Sequence, residues 1–222
     1  MSEYKVSEIF TSINGEGAKS GELTTFIRFV GCNLNCPYCD TKYALGKNAE
    51  YKSMSAIEIY KYIVKTGIKN VTLTGGEPLA QKDIEKLIKL LSTDKNIHVE
   101  IETNGSKSIK PYRGMYNRPS FTLDYKTPSS KMERFMDLEN FNYVTKKDTV
   151  KFVCGSLEDL ERMKQIIDGY DLIEKTNVFV SPIFGQINPV DIVEFLKKHH
   201  LNGVKLQLQI HKIIWNPNER GV

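Results

Sequence analysis

The chain has 222 residues, 40% hydrophobic and 26% charged, a balance normal for one globular domain spanning residues 1–222 under a solvated surface. A net charge of +4 with no concentrated lysine tract argues against nucleic-acid binding and suits a small anionic substrate equally well. The opening "MSEYKVSEIF" has no basic region followed by an apolar core, and no apolar run reaches a membrane-spanning length, so a cytoplasmic protein with no membrane partner is expected.

In chain order, "TTFIRFV" (24–30) reads as a strand running straight into "GCNLNCPYCDT" (31–41). A capping box at Ser55 and Glu58 opens a helix whose apolar face is Ala56, Ile59, Tyr60, Ile63 and Val64, and Gly67 stops it. "NVTLT" (70–74) is a strand ended by Gly75 and Gly76, and a helix with Ile84, Leu87, Ile88 and Leu91 on one side follows. Strands "HVEIET", "FTLD" and "VKFVC" come next, the last after a polar, poorly patterned stretch near 129–148. Ser156 caps "LEDLERMKQIID", "NVFVS" is a strand, Asn188-Pro189 starts a helix running through Leu196, and "VKLQLQI" (204–210) is the last strand. Strands alternating with helices predict an α/β fold of mostly parallel strands. About seven strands and four helices are too few for a closed eightfold barrel, so an open, partial barrel is expected. In such sheets the strand ends gather ligands, which places the cysteine loop, the Gly-Gly turn, "TNG" after Glu102 and "YKTP" after Asp124 on one side.

Cys32, Cys36 and Cys39 follow a C-x3-C-x2-C spacing, and the fourth cysteine, Cys154, reads as a small buried hydrophobe within a strand. In a reducing compartment clustered thiols are metal ligands or catalysts. Structural zinc asks for four ligands, which the loop lacks unless a distant histidine completes the set. Three thiolates can hold a cubane iron–sulfur cluster and leave one iron open for a small molecule.

This loop, with Tyr38 before its last cysteine, resembles that of the radical S-adenosylmethionine enzymes. "TGGEP" (74–78) is similar to the glycine-rich cofactor motif of that superfamily; alone it reads equally as an ordinary strand-to-helix turn. The glycines would let backbone approach the ligand, and the nearby carboxylate could receive an ammonium. Within the superfamily the chain resembles the 7-carboxy-7-deazaguanine synthases of queuosine and deazapurine biosynthesis. The resemblance rests on "FTSINGEG" (10–17), Arg28, the "CDT" ending at Thr41, "ETNG" (102–105) and the tail "QIHKIIWNPNERGV".

That resemblance implies a [4Fe-4S] cluster, S-adenosylmethionine and Mg²⁺. It implies conversion of 6-carboxy-5,6,7,8-tetrahydropterin to 7-carboxy-7-deazaguanine through hydrogen abstraction at C6, ring contraction, return of hydrogen and loss of ammonia. It places the cluster on Cys32, Cys36 and Cys39, and S-adenosylmethionine against Tyr38, Cys39, Asp40 and Gly76. Further cofactor contacts fall at Glu102, Asp124, Tyr125, Lys126 and Ser181. Thr41 would ligate Mg²⁺, which favours oxygen ligands. Ile13, Asn14, Gly15, Glu16, Arg28, Thr74 and the terminal Val222 would hold the pterin, with Glu16 accepting from the pyrimidinone edge and Arg28 meeting the carboxylate.

The competing readings are a strand ion pair for Arg28, a turn cap for Thr41 and a solvated acid for Glu16. Asn14 departs from the glutamine usual in the family's Q-G-E-G. The "DYKTP" stretch also differs from commoner versions of that segment. His211 reads as a core or hydrogen-bonding residue, and His98, His199 and His200 as surface residues. Residues 10–17 are expected as a substrate loop and 211–222 as a closing tail, non-helical but packed down by Trp215 and two isoleucines. The resemblance also implies a homodimer and a flavodoxin or ferredoxin-type reductant. The rival functions are a glycyl-radical-enzyme activating enzyme, which shares the cysteine spacing, and a zinc-stabilised binding module without catalysis.

Overall fold

The computed structural model describes residues 2–46, 48–216 and 219–222. One sheet of nine strands organises it, in the order β3-β1-β2-β4-β5-β6-β7-β8-β9. The strands are β1 (Glu3–Ile13), β2 (Leu23–Phe29), β3 (Lys52–Ser55), β4 (Asn70–Gly75), β5 (His98–Thr103), β6 (Ser120–Tyr125), β7 (Thr149–Cys154), β8 (Asn177–Pro182) and β9 (Val204–Leu206). β1 pairs antiparallel with β2 and β3. From β2 to β9 every neighbouring pair is parallel. The sheet does not close, since β3 and β9 are its two edges.

Four longer helices, α1 (Ala56–Thr66), α2 (Ile84–Ser92), α3 (Leu157–Tyr170) and α5 (Pro189–Lys198), are joined by single turns α4 (Leu172–Lys175) and α6 (His211–Ile214). The β5–β6 and β6–β7 crossings carry short 3-10 turns in place of α-helices, which accounts for the weak patterning near 129–148. The caps behave as their residues dictate. Ser55 and Glu58 form a reciprocal capping box, Ser156 accepts from the Asp159 amide, and Asn188 accepts from Val190 ahead of Pro189. Among the described residues no helix is long and apolar enough to cross a membrane.

Alternation along the strands divides the sheet's two faces. Ile27 and Phe29, Val71 and Leu73, Val99 and Ile101, Phe121 and Leu123, Val150 and Phe152, and Val178 and Val180 form a core with Leu87, Ile88, Met163, Ile166 and Ile192 of the helices. Cys154 is fully buried in that core, as expected. The residues between them carry polar or charged groups: Arg28, Thr74, Glu102, Thr122, Asp124 and Lys151 line a cavity on the other face.

Several expectations are corrected. β1 takes in Phe10–Ile13, the first half of the stretch expected as a loop, and β3 was not foreseen. The last strand pairs over three residues only; the Gln207 backbone amide still donates to the Val180 carbonyl, while both atoms of its side-chain amide bond the backbone of Gly17. Val64 is exposed, since five residues from Ile59 places it about 140° around the helix. His199 is half-buried against the Phe195 ring, 4.3 Å between centroids. The tail contains the turn α6, and Ile213 and Ile214 are exposed, so the isoleucines do not pack it down. Pro217 and Asn218 of the expected closing tail lie outside the described residues.

Candidate active site

The carboxyl ends of the parallel strands rim a cavity of about 960 Å³, ample for a cofactor and a small substrate together. β2 delivers Cys32, Cys36 and Cys39, β4 delivers Gly75 and Gly76, β5 delivers Glu102 and Asn104, and β6 delivers Asp124 and Lys126. Phe10 and Ile13 of β1 and Phe26 and Arg28 of β2 wall the opposite side, and the tail contributes His211, Arg220 and Val222.

The cluster loop is short and turned on itself. The Cys39 amide donates to the Cys36 carbonyl, and Cys32 Sγ accepts from the Leu34 amide at 3.4 Å and from Asn104 Nδ2 at 3.5 Å. Burial raises the pKa of the Cys32 and Cys36 thiols; binding of a cationic metal centre would reverse this by taking the thiolate. Among the described residues no three His, Cys, Asp or Glu side chains surround a point suited to one metal ion. The Gly-Gly turn holds the loop from behind. Gly76 accommodates the Gly31 carbonyl where any Cβ would collide with it, and the Glu77 amide donates to that carbonyl at 2.9 Å. Glu77 does not offer its carboxylate to the cavity. The side chain is fully buried and accepts from the amides of Leu79 and Asn104 and from Thr103 Oγ1. The expected ammonium partner in this motif is therefore corrected to a brace between the β4 and β5 turns.

Two buried polar atoms in the cavity wall, the Tyr38 hydroxyl and Asp124 Oδ1, have no partner among the described residues. Unpaired groups of this kind are costly unless a ligand satisfies them. Together with three thiols and a glycine turn they fit a cluster with a polar small molecule beside it. Asp124 Oδ2 accepts from Lys126 Nζ at 2.9 Å and lies 3.9 Å from Lys151 Nζ.

On the opposite wall Glu16 is held by donors from three segments: Lys151 Nζ at 3.1 Å, Ser181 Oγ at 3.3 Å and Gln209 Nε2 at 3.3 Å. Desolvation acts to lower the Lys151 pKa, but the carboxylates of Glu16, Asp124 and Glu102 prevail and keep it raised, so it stays an ammonium. Burial raises the Glu102 pKa, and its Oε2 accepts from Thr74 Oγ1 at 2.6 Å. Arg28 donates through Nε to Glu8 at 2.9 Å, which engages one edge of the guanidinium and leaves its terminal nitrogens for another acceptor. The same Glu8 accepts from Tyr43 and from Arg220, whose guanidinium stacks 3.5 Å over the Tyr43 ring. Thr41 donates to Asp40 at 2.8 Å and faces the cavity.

Ile13, Gly15, Glu16, Arg28, Cys32, Cys36, Tyr38, Cys39, Asp40, Thr41, Thr74, Gly76, Glu102, Asp124, Lys126 and Val222 all line this one cavity. Three sequence candidates lie elsewhere. Asn14 is buried beneath its loop, donating to Glu100 at 3.1 Å. Tyr125 is buried on the far face, donating to Glu133. Ser181 reaches the cavity only through Glu16. Sequence reasoning missed Lys151, Glu8, Gln209 and the cavity-facing His211, whose pKa burial lowers. A charged residue centred in the apolar run "TVKFVC" was the available signal for Lys151.

The family model described as the Radical SAM superfamily matches residues 26–137. A protein of Clostridium acetobutylicum named 7-carboxy-7-deazaguanine synthase is 58% identical, over 99% of this chain and 99% of its own length. One of the same name from Leptospira interrogans is 37% identical, over 98% of this chain and 97% of its own. Among solved structures, that of QueE from Escherichia coli superposes with a TM-score of 0.74 at 20% identity, covering 93% of this chain and 94% of the other, a likeness of fold.

Proposed function

This chain belongs to the radical SAM superfamily and, within it, to the 7-carboxy-7-deazaguanine synthases, and from that premise we propose that it converts 6-carboxy-5,6,7,8-tetrahydropterin to 7-carboxy-7-deazaguanine with loss of ammonia. The observation that carries the reading is convergence: the cysteine loop and the Asn14–Gly17 loop, on strands of opposite direction, face each other across one cavity.

Cys32, Cys36 and Cys39 would hold a [4Fe-4S] cluster, with Tyr38, Asp40, Gly76, Glu102, Asp124 and Lys126 around S-adenosylmethionine. Bound there, cluster and cofactor would supply a 5′-deoxyadenosyl radical able to take hydrogen from C6 of the pterin. The chain's own part is binding and exclusion. Glu16, fixed by Lys151, Ser181 and Gln209, presents its carboxylate to adjacent N–H donors of a pyrimidinone edge. Arg28, oriented by Glu8, meets the substrate carboxylate, and Thr74 lies between the two sides. The tail, tied at Arg220 to Glu8, brings Val222 to the mouth, where it would shield a radical from water and stray hydrogen donors.

Thr41 would give Mg²⁺ a hydroxyl oxygen; Thr41→Val should weaken the response to Mg²⁺ more than cofactor binding, and an unchanged Mg²⁺ dependence removes the role. We also read the protein as one cytoplasmic domain over residues 1–222, a homodimer, reduced by a flavodoxin or ferredoxin. The test is anaerobic incubation of reconstituted protein with carboxypterin, S-adenosylmethionine, Mg²⁺ and reductant, followed by mass analysis and iron determination. Formation of the deazaguanine by an iron-loaded protein supports the reading. Recovery of unchanged pterin, or a protein holding zinc alone, overturns it.

A further inference from the structure

Glu100 lies at the middle of β5 on the cavity side of the sheet, two residues before Glu102, and is 5% exposed. No described ion pair includes it. Its carboxylate instead accepts two neutral bonds, from Thr122 Oγ1 at 2.7 Å and from Asn14 Nδ2 at 3.1 Å. Gly17, at φ +79°, rests over the same group, and a Cβ there would lie 3.0 Å from Glu100 Oε1. Both ends of the Asn14–Gly17 loop thus sit on one buried carboxylate.

Asn14 is fully committed beneath the loop. While Nδ2 donates to Glu100, Oδ1 accepts from Thr72 Oγ1 at 3.4 Å. Its neighbours Ile13, Gly15 and Glu16 are the residues that reach the cavity. A carboxylate buried without a counter-ion is expensive to keep and calls for a functional reason. Desolvation, followed by the charge of Glu102, pushes the Glu100 pKa up to about 7; Thr122, Asn14 and Lys19 act the other way.

We propose that Glu100 is a positioning residue for the substrate, its carboxylate latching the Asn14–Gly17 loop from below and fixing where Glu16 meets the pterin. The proposal rests on the carboxypterin reading above. Asn14 Nδ2 can only donate, whereas the Thr122 hydroxyl can also accept; a protonated Glu100 therefore keeps both contacts, by donating to Thr122, but offers Asn14 a neutral oxygen in place of a carboxylate, and the latch bond weakens. The charged neighbours that face it are Glu102 on its own strand and Lys19 beyond the loop; Asn14, Thr72 and Thr122 are neutral. His211 titrates against the loop's other side, so the pH effect must be read against a variant.

The experiment measures equilibrium binding of carboxypterin to the reconstituted enzyme, anaerobically with S-adenosylmethionine and no reductant, from about pH 6 to about pH 8.5, in native protein and Glu100→Gln. Native affinity should fall several-fold as the pH drops through the Glu100 range. Glu100→Gln should bind several-fold more weakly at the alkaline end, the difference between a charge-assisted and a neutral bond to Asn14, and should lose most of the pH dependence. Its affinity for S-adenosylmethionine and its iron content should match the native values. Native affinity and pH profile in Glu100→Gln overturn the proposal, as does a loss of pterin binding accompanied by equal loss of cofactor binding, which marks a general structural defect. No carboxypterin binding by the native enzyme overturns the functional reading and this proposal with it.

Discussion

Lys151 occupies the place in β7 where a strand residue would ordinarily be apolar, and three acids set its state. Its ammonium bonds Glu16, lies 3.9 Å from Asp124 and feels Glu102, so it links the Asp124 wall of the cavity to the Glu16 wall. Lys151→Met keeps the stem and removes the charge, leaving Glu16 with only Ser181 and Gln209. Breaking one side of a buried pair costs about 3 kcal/mol or somewhat less here, because both partners line the cavity. The melting temperature should drop by roughly 6–12 °C, and an unchanged value would show that the ammonium is effectively solvated. The motif residues of the cluster loop were readable in the sequence because their spacing is specific. Lys151 and Glu100 were not, although each is a charge centred in an apolar strand. What hid them is that a strand's two faces look alike in one sequence until the neighbouring strands show which face meets helices and which meets ligand. The same limit applies to the side chain of Asn14, which motif order places near the pterin and which bonds Glu100 beneath the loop.

At the level of elements, the β4 turn and the cluster loop behave as one unit. Gly76 lies where a Cβ would strike the Gly31 carbonyl and crowd the Cys32 amide, and the Glu77 amide bonds that same carbonyl. Gly76→Ala should therefore displace the first cysteine and lower the iron bound after reconstitution by more than half, while secondary structure measured by circular dichroism stays native. Full iron occupancy in that variant would show that the two segments move independently. Strands β4 to β8 and helices α1, α2, α3 and α5 were legible because apolar runs, caps and glycine stops agree in them. β1 was not: "EYKVSEIFTSI" mixes charges into both faces, and only Tyr4, Val6 and Ser12 of it are buried. β3 hid in four residues, "KSMS", the last of which is a helix cap. β9 was overread because "VKLQLQI" alternates ideally, while its pairing with β8 stops at Leu206, past which the Gln207 backbone amide bonds Val180 and its side chain clamps Gly17.

Across the whole molecule one sheet separates two environments, an apolar side covered by helices and a charged side to which the C-terminal tail contributes. The tail is fastened by Arg220 to Glu8 and Tyr43 and by Lys212, 4.0 Å from Asp40, with half-buried Trp215 between them. These contacts are mostly polar and partly exposed, so the tail can close the mouth without contributing much to folding. Deleting Glu219–Val222 should raise the Michaelis constant for carboxypterin about tenfold, the worth of a terminal carboxylate bonded to the pterin, and increase 5′-deoxyadenosine formed without product. Unaltered affinity and coupling would reduce the tail to a strap. The most direct measurement for the protein as a whole uses carboxypterin carrying deuterium at C6, incubated anaerobically with the reconstituted enzyme, S-adenosylmethionine, Mg²⁺ and reductant. A cavity that presents C6 to the cofactor predicts 7-carboxy-7-deazaguanine as product, with deuterium recovered in S-adenosylmethionine or 5′-deoxyadenosine. Product formed with no deuterium in either, or 5′-deoxyadenosine accumulating beside unchanged pterin, would contradict it.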